Sequence, residues 1–450
     1  MFHLGVLRSW LQRRRSDAHL GRVFKNFGLL LGGRGVAGVI SLGTLALMGH
    51  GLTPEQFGTV VLVQTFAMTA RGLVTIQPWA AVIHFSTQAL QRGDEDQFKR
   101  LIAYTGLVDL VGGVAAAILG ILLASTVAGF LDWNPEIVLL AQIYCSSLVI
   151  AIEATPKGIL RLFDRYDLLS LQGIVQPILR IVGVATAYLT DAGVLGYVVA
   201  FYVSNLVHYV SLALVARYEL RKRVAGALFL GVHREQVHRD FPTLWRYMLT
   251  AYSQKLLDVV QRRITILFAG VLFGAAAAGL YRVAWDLSNI LAKPVLMLRQ
   301  SILPDLARLW HDHDPSFRRL TFQSGLIAGS VSAAILGVVT VVGRPLIEWV
   351  MGEPYIDAAP LLVLLVLAGT IDLFGFALRP AGYAMGRPGV IVAINTVAML
   401  IYCGLFFGLT SRVGLLAPGL ASIAAALFSL VCLTVAVVRL SRDTSSGVRT

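Results

Sequence analysis

The sequence predicts an all-α polytopic membrane protein: twelve transmembrane helices in two six-helix lobes, with both termini cytoplasmic. Three observations predict it. The 450 residues are 56% hydrophobic and only 14% charged, against about 25% charged in an average soluble protein, and the mean hydropathy is +0.73. Apolar runs of about 20 residues, each able to cross a hydrocarbon core of about 30 Å, recur along the whole chain. Lys and Arg alternate in abundance from one connection to the next.

The runs fall at about 27–49, 57–86, 101–125, 137–156, 167–189, 193–216, 244–270, 275–299, 320–342, 358–379, 388–409 and 415–438. The first is too long for a signal-peptide core and lacks a clear cleavage site, so it reads as an uncleaved first span. The tails and connections on one side hold 28 Lys and Arg, whereas the opposite connections hold only Arg344 and Arg412. Lys and Arg stay on the cytoplasmic side, which puts both termini there. The expected domains are a basic N-terminal tail (1–26), an N-lobe of spans 1–6 (27–216), a cytoplasmic linker (217–243), a C-lobe of spans 7–12 (244–438) and a C-terminal tail (439–450). Two halves of like orientation suggest parallel repeats. A faint echo supports this: "PEQFGTVVL" opens span 2 and "AAAAGLYRV" opens span 8, with Gly58 and Gly279 near the starts.

The net charge of +13 would suggest nucleic acid on a soluble chain. Here the topology bias absorbs most of it, and no nucleic-acid partner is expected. Cys145, Cys403 and Cys432 sit in apolar runs and read as small core residues. Neither "HDHD" (His311 to Asp314) nor "HREQVH" (His233 to His238) has a metal-ligand spacing. No metal or cofactor is expected.

The informative residues are charges inside the spans. Eight cations lie there: Arg34, Arg71, Arg180, Lys255, Arg262, Arg263, Arg282 and Lys293. The acids are Asp109, Asp258, Asp286 and Asp372, with Glu153 near a span end. A cation at a helix centre costs about 2.5–3.5 kcal/mol on insertion scales. Eight facing lipid would exceed a typical net stability of about 5–15 kcal/mol, so most must face water or a partner. On span 8, Arg282, Asp286, Asn289 and Lys293 fall within an arc of about 60°, and on span 7 Lys255, Asp258 and Arg262 do the same, with Arg263 beside them. Gln64 with Arg71, Gln172 with Gln176 and Arg180, and Asp372 with Arg379 also align. Internal ion pairing alone is one reading: Asp258 with Arg262, and Asp286 with Arg282 or Lys293. The surplus of cations favours a cavity that receives an anion, because unpaired buried cations are expensive.

Four segments in order carry a resemblance. They are "LTPEQFGTVVL" (Leu52 to Leu62), "AAAAGLYRVAWDLS" after span 7, "LPDLARL" (Leu303 to Leu309), and "MGEPYIDAAPLLVLL" (Met351 to Leu365) with "GRPGV". Together they resemble the polysaccharide-transport, O-antigen-flippase (Wzx-type) branch of the multidrug/oligosaccharidyl-lipid/polysaccharide exporter superfamily, over about residues 27–435. The resemblance implies a MATE-like fold, a central cavity lined by spans 1, 2, 7 and 8, and alternating access. It implies an inner-membrane location and a lipid-linked oligosaccharide of the undecaprenyl-pyrophosphate type as substrate. It leaves room for polysaccharide polymerase partners and carries over no universal binding residue.

On this reading Arg34, Arg71, Lys255, Arg262, Arg263, Arg282, Asn289 and Lys293 bind substrate. Asp258, Asp286 and Asp372 are salt-bridge or proton-coupling residues. Arginine suits phosphate because its planar fork binds two oxygens at once. Two other functions are open. An H+- or Na+-coupled drug or cation antiporter would want acids in the cavity. A polysaccharide polymerase or ligase would want catalytic side chains outside, and the outer connections are short and poor in His, Asp and Glu.

Overall fold

Hydrocarbon offers no hydrogen bonds, so a chain this apolar must satisfy its backbone within its own helices. The computed structural model describes residues 35–76, 78–223, 234–259, 263–312, 314 and 316–446, with Gly28, Gly32 and Gly33, and among them the regular structure is entirely helical. The helices are α1 (Gly35–Gly51), α2 (Pro54–Val74), α3 (Trp79–Gln91), α4 (Glu95–Leu131), α5 (Pro135–Ser146), α6 (Ala154–Leu162), α7 (Tyr166–Leu189), α8 (Gly193–Arg221) and α9 (Arg234–Asp240). There follow α10 (Leu244–Val259), α11 (Thr265–Phe273), α12 (Ala275–His311), α13 (Ser316–Met351), α14 (Ala359–Phe374), α15 (Leu378–Ala384), α16 (Pro388–Val413) and α17 (Ala417–Ser446). Starts are written in the sequence. Asp94 accepts from Gln97 N–H at 2.8 Å to open α4, and Asn134 accepts from Ile137 N–H at 2.9 Å ahead of Pro135.

Several spans expected to be continuous are broken. Span 2 divides into α2 and α3, span 4 into α5, a 3-10 turn (Ser147–Ile150) and α6, and span 10 into α14 and α15. Each of these breaks lies four residues upstream of a proline: Val74 before Pro78, Ile152 before Pro156, Phe376 before Pro380. A proline ring clashes with the carbonyl four residues back and supplies no N–H to it. Proline alone does not decide, since Pro177 and Pro345 sit inside continuous α7 and α13. Span 7 also changes character, with a π-helical turn at residues 263–264 ahead of α11.

Eight helical stretches among the described residues are long and apolar enough to cross a membrane, and Gly35–Gly51 adds a shorter apolar helix. Helices α10 to α12, which bear the intramembrane charges of spans 7 and 8, are not among the eight.

The described residues form two compact units, Met1–Gly51 with Val63–Ile264, and Leu52–Leu62 with Thr265–Thr450. Two stretches therefore fall across a division at the 217–243 linker: Leu52–Leu62 goes with the later half, and α9 and α10 with the earlier. In the first unit, Phe85, Leu101 and Tyr104 of α3 and α4 pack against Val237, Phe241, Leu244 and Met248 of α9 and α10. Arg100 clamps Asp240 at 2.9 Å beside this core. In the second unit, Leu306, Phe317, Leu373, Phe376, Leu378, Ile391 and Leu433 join α12 to α17.

The second unit also holds all four segments that carry the resemblance, and three of them meet. Thr53 and Gln56 cap the start of α2 reciprocally, Thr53 N–H to Oε1 at 3.1 Å and Gln56 N–H to Oγ1 at 3.3 Å, with Pro54 at the first helical position. Phe57 meets Tyr355 edge-on, ring centroids 5.6 Å apart, and the buried Tyr355 hydroxyl donates to Leu52 C=O at 3.0 Å. Gly58 faces α12 so closely that a Cβ there would run into the Ala275 carbonyl. A Cβ on Gly279 would lie 3.0 Å from Phe57 and 3.1 Å from Gly58 N. The two glycines of the sequence echo thus make one helix crossing.

Gly58→Ala is expected to destabilise the protein by about 1–3 kcal/mol through overpacking, read as a lower thermal midpoint of the detergent-purified chain. Gly106→Ala, where a Cβ would have no neighbour within 4 Å, is the control and does not lower it.

Candidate functional site

The break between α5 and α6 exposes backbone groups inside the first unit, and charged side chains take them up. Asp109 of α4 is buried and accepts from Thr155 N–H at 2.6 Å, closing the start of α6. Arg71, from the last turn of α2, donates to the Ala151 carbonyl at 3.1 Å. The same guanidinium pairs with Glu153 at 2.8 Å and donates to Tyr209 Oη at 3.1 Å. It also lies over the Tyr209 ring, 5.1 Å from the centroid. Glu153 takes a second cation, Lys157, one turn along α6. His208 Nε2 lies 4.0 Å from the same carboxylate. Arg71, Glu153, Lys157, His208 and Tyr209 form one cluster fed by α2, α6 and α8.

Beside it lies a network of amides and hydroxyls with one arginine. Asn205 donates to Tyr144 Oη at 2.7 Å and accepts from Gln176 and, at 3.3 Å, from Arg180. Arg180 also sits 4.4 Å over the Phe201 ring, and Gln172 accepts from Ser211 at 3.0 Å. The polar stripe of span 5 therefore faces α8. At the far end of α6, Arg165 donates to Asp167 at 2.8 Å and pairs with Glu219.

The sequence-derived residues distribute as follows. Arg71 is at the centre of the cluster. Arg263 donates to Met68 C=O of α2, and Tyr252 donates to Leu73 C=O, one of the carbonyls that α2 leaves open at its end. In the second unit Arg282 pairs with Asp286 at 2.7 Å. Asn289 turns back onto its own helix, donating to Trp285 C=O at 2.8 Å. Arg379 bridges the break between α14 and α15 to reach Asp372 at 2.9 Å. Arg34 and Arg262 lie outside the described residues, as do the side chains of Lys255, Asp258 and Lys293. Tyr281 is buried, and Trp79 lies under Arg161 at 4.4 Å.

Sequence reasoning did not connect Glu153 to Arg71, and it placed Lys157 in a loop. It passed over Tyr144, Asn205, His208 and Tyr209. The signal existed in part: Asn205, His208 and Tyr209 stand at i, i+3 and i+4 in the mainly apolar middle of α8, the spacing of a single helix face.

Comparison with known proteins shows the family and the fold. A family model described as "Polysaccharide biosynthesis protein" matches residues 23–310. The inner membrane protein YghQ of Escherichia coli (strain K12) is 30% identical over 351 residues, which cover 77% of this chain and 97% of YghQ. Among solved structures, a multidrug resistance MATE family transporter of the MOP superfamily, inward-facing, superposes with a TM-score of 0.73 at 16% identity, over 90% of this chain and 96% of that one. The lipid II flippase MurJ, inward closed, gives 0.70 at 12% identity, over 91% and 87%. The fold is MATE-like, and the chain is a multi-pass membrane protein.

Arg71→Gln and Glu153→Gln should each lower stability, because each leaves the partner's charge inside the unit. The double variant should lose less than the two single losses combined, by a coupling of about 0.5–3 kcal/mol, measured as unfolding in mixed detergent. Strict additivity would mean that the pair is not coupled.

Proposed function

The chain belongs to the polysaccharide biosynthesis protein family, and from that premise we propose that it is a flippase. It carries a polyprenyl-pyrophosphate-linked oligosaccharide from the cytoplasmic to the outer leaflet of the inner membrane by alternating access, without transforming it chemically. The observation that carries this reading is the polar cluster of the first unit: an arginine and a lysine around one carboxylate, next to amides, hydroxyls and a further arginine. Cations suit a pyrophosphate. Amides and hydroxyls suit sugars, which both donate and accept hydrogen bonds. The polyprenyl tail would stay in the bilayer.

An inside-negative potential favours outward movement of an anion, by about 2.3 kcal/mol per charge per 100 mV. The carrier's own charge can therefore drive the step. YghQ is named an inner membrane protein, which supports the same location here. A polymerase would be the natural partner on the outer face, where it would receive the translocated glycan. The antiporter reading is weaker, because Asp109 and Glu153 of the first unit are already engaged: Asp109 by a backbone N–H, Glu153 by two cations.

The test is complementation in cells lacking the gene. Arg71, Arg263, Arg282 and Lys293 are each changed to Ala and to Glu, with membrane abundance measured alongside surface polysaccharide. The expected outcome is loss of polysaccharide at normal abundance from the Glu series, with lipid-linked oligosaccharide accumulating on the cytoplasmic face. Full polysaccharide from every well-inserted variant would overturn the reading.

A further inference from the structure

We propose that Glu153 is a built-in stand-in for phosphate. Arg71 and Lys157 form an anion site in the first unit, and a phosphate ester enters it by displacing the Glu153 carboxylate. The identity of that ester as the carrier pyrophosphate rests on the flippase reading.

The carboxylate closes no helix end where it stands. Glu153 precedes α6 directly, at φ −128° and ψ −38°, yet its side chain makes no capping hydrogen bond. Asp109 closes the start of α6 instead. Removing Glu153 from between the cations therefore uncaps no helix.

The cation remains aimed when the carboxylate leaves. Arg71 keeps the Ala151 carbonyl and the Tyr209 hydroxyl, both at 3.1 Å, and the Tyr209 ring beneath it. These contacts fix the guanidinium plane, which is what two-oxygen recognition of phosphate requires.

A further donor is in place. His208 is 7% exposed, its Nε2 faces Glu153 at 4.0 Å, and its Nδ1 has no hydrogen-bond partner among the described residues. A buried polar nitrogen without a partner is costly. A phosphate has more acceptor oxygens than a carboxylate and more charge, so it can draw in His208 Nε2, which stands 4.0 Å from Glu153, as well as Arg71 and Lys157.

The cluster has a way in. Side-chain exposure rises from 15% at Arg71 through 18% at Glu153 to 36% at Lys157. Beyond Lys157, Arg161 follows one turn along α6, and Arg165 lies past its end, toward the side that the sequence assigns to the cytoplasm. A phosphate arriving there meets cations in sequence before it reaches the buried pair.

The experiment uses the purified full chain in phosphatidylcholine nanodiscs, titrated calorimetrically with inorganic pyrophosphate and with farnesyl pyrophosphate. Glu153→Gln is expected to bind farnesyl pyrophosphate about tenfold tighter than the parent chain, and Lys157→Gln about tenfold more weakly, each near 1.4 kcal/mol. Equal affinity in parent and Glu153→Gln would overturn the proposal. If Glu153→Gln does not fold, Glu153→Asp replaces it. Its shorter carboxylate competes less, so about threefold tighter binding is expected, and unchanged binding overturns the proposal. Inorganic pyrophosphate binding as tightly as the farnesyl ester would keep the anion site and remove the carrier lipid as its ligand. A parent chain that moves lipid-linked oligosaccharide in vesicles while Glu153→Gln gains no affinity sinks this inference alone. Tight binding to Glu153→Gln with no translocation by the parent chain sinks the flippase reading instead.

Discussion

An interrupted helix inside hydrocarbon must have its open carbonyls and N–H groups answered by other parts of the protein. Much of the polar architecture of this chain follows from that constraint. Where α5 gives way to α6, Arg71 answers the Ala151 carbonyl and Asp109 answers the Thr155 N–H. Where α2 ends, Tyr252 answers Leu73. Where α14 gives way to α15, the Asp372–Arg379 pair spans the gap. Charges that look anomalous in an apolar sequence are thus of one piece with prolines that look disruptive. Each makes the other tolerable.

The same pairing shapes what the first unit can do. A bare cation there would be costly and would hold any anion indiscriminately. A cation already partnered by Glu153 is cheap to keep, and it responds only to a ligand that competes with a carboxylate two carbons from its own backbone. Selectivity then comes from a comparison between two anions in one place, with Tyr209 and Ala151 holding the geometry constant.

The helical class and the membrane setting were legible because hydropathy and the placement of Lys and Arg are properties of long windows. The breaks were less legible. Pro78, Pro156 and Pro380 interrupt their spans and Pro177 and Pro345 do not, a difference that depends on which side chains from distant helices reach the freed groups. The ion pairs divide in the same way. Arg282 with Asp286 lies one turn apart on one helix and can be read from spacing. Arg71 with Glu153 joins α2 to the start of α6, with Tyr209 of α8 completing the set, and no periodicity within a single helix reports it. The soft residues of "LTPEQFG" were recognisable as a pattern before their use was visible: Thr53 and Gln56 cap, Pro54 starts the helix, Phe57 meets Tyr355, and Gly58 admits α12.

That last contact also sets a clock on biogenesis. Leu52 and Tyr355, joined by one hydrogen bond, are 303 residues apart. At about 5–20 residues per second, roughly 15 to 60 seconds of synthesis separate them. For that interval the newly inserted first turn of α2 sits in the membrane with the Leu52 carbonyl without its eventual donor. The nascent chain must be sheltered, by lipid, by the insertion machinery or by its own α1, until the second unit emerges to receive it.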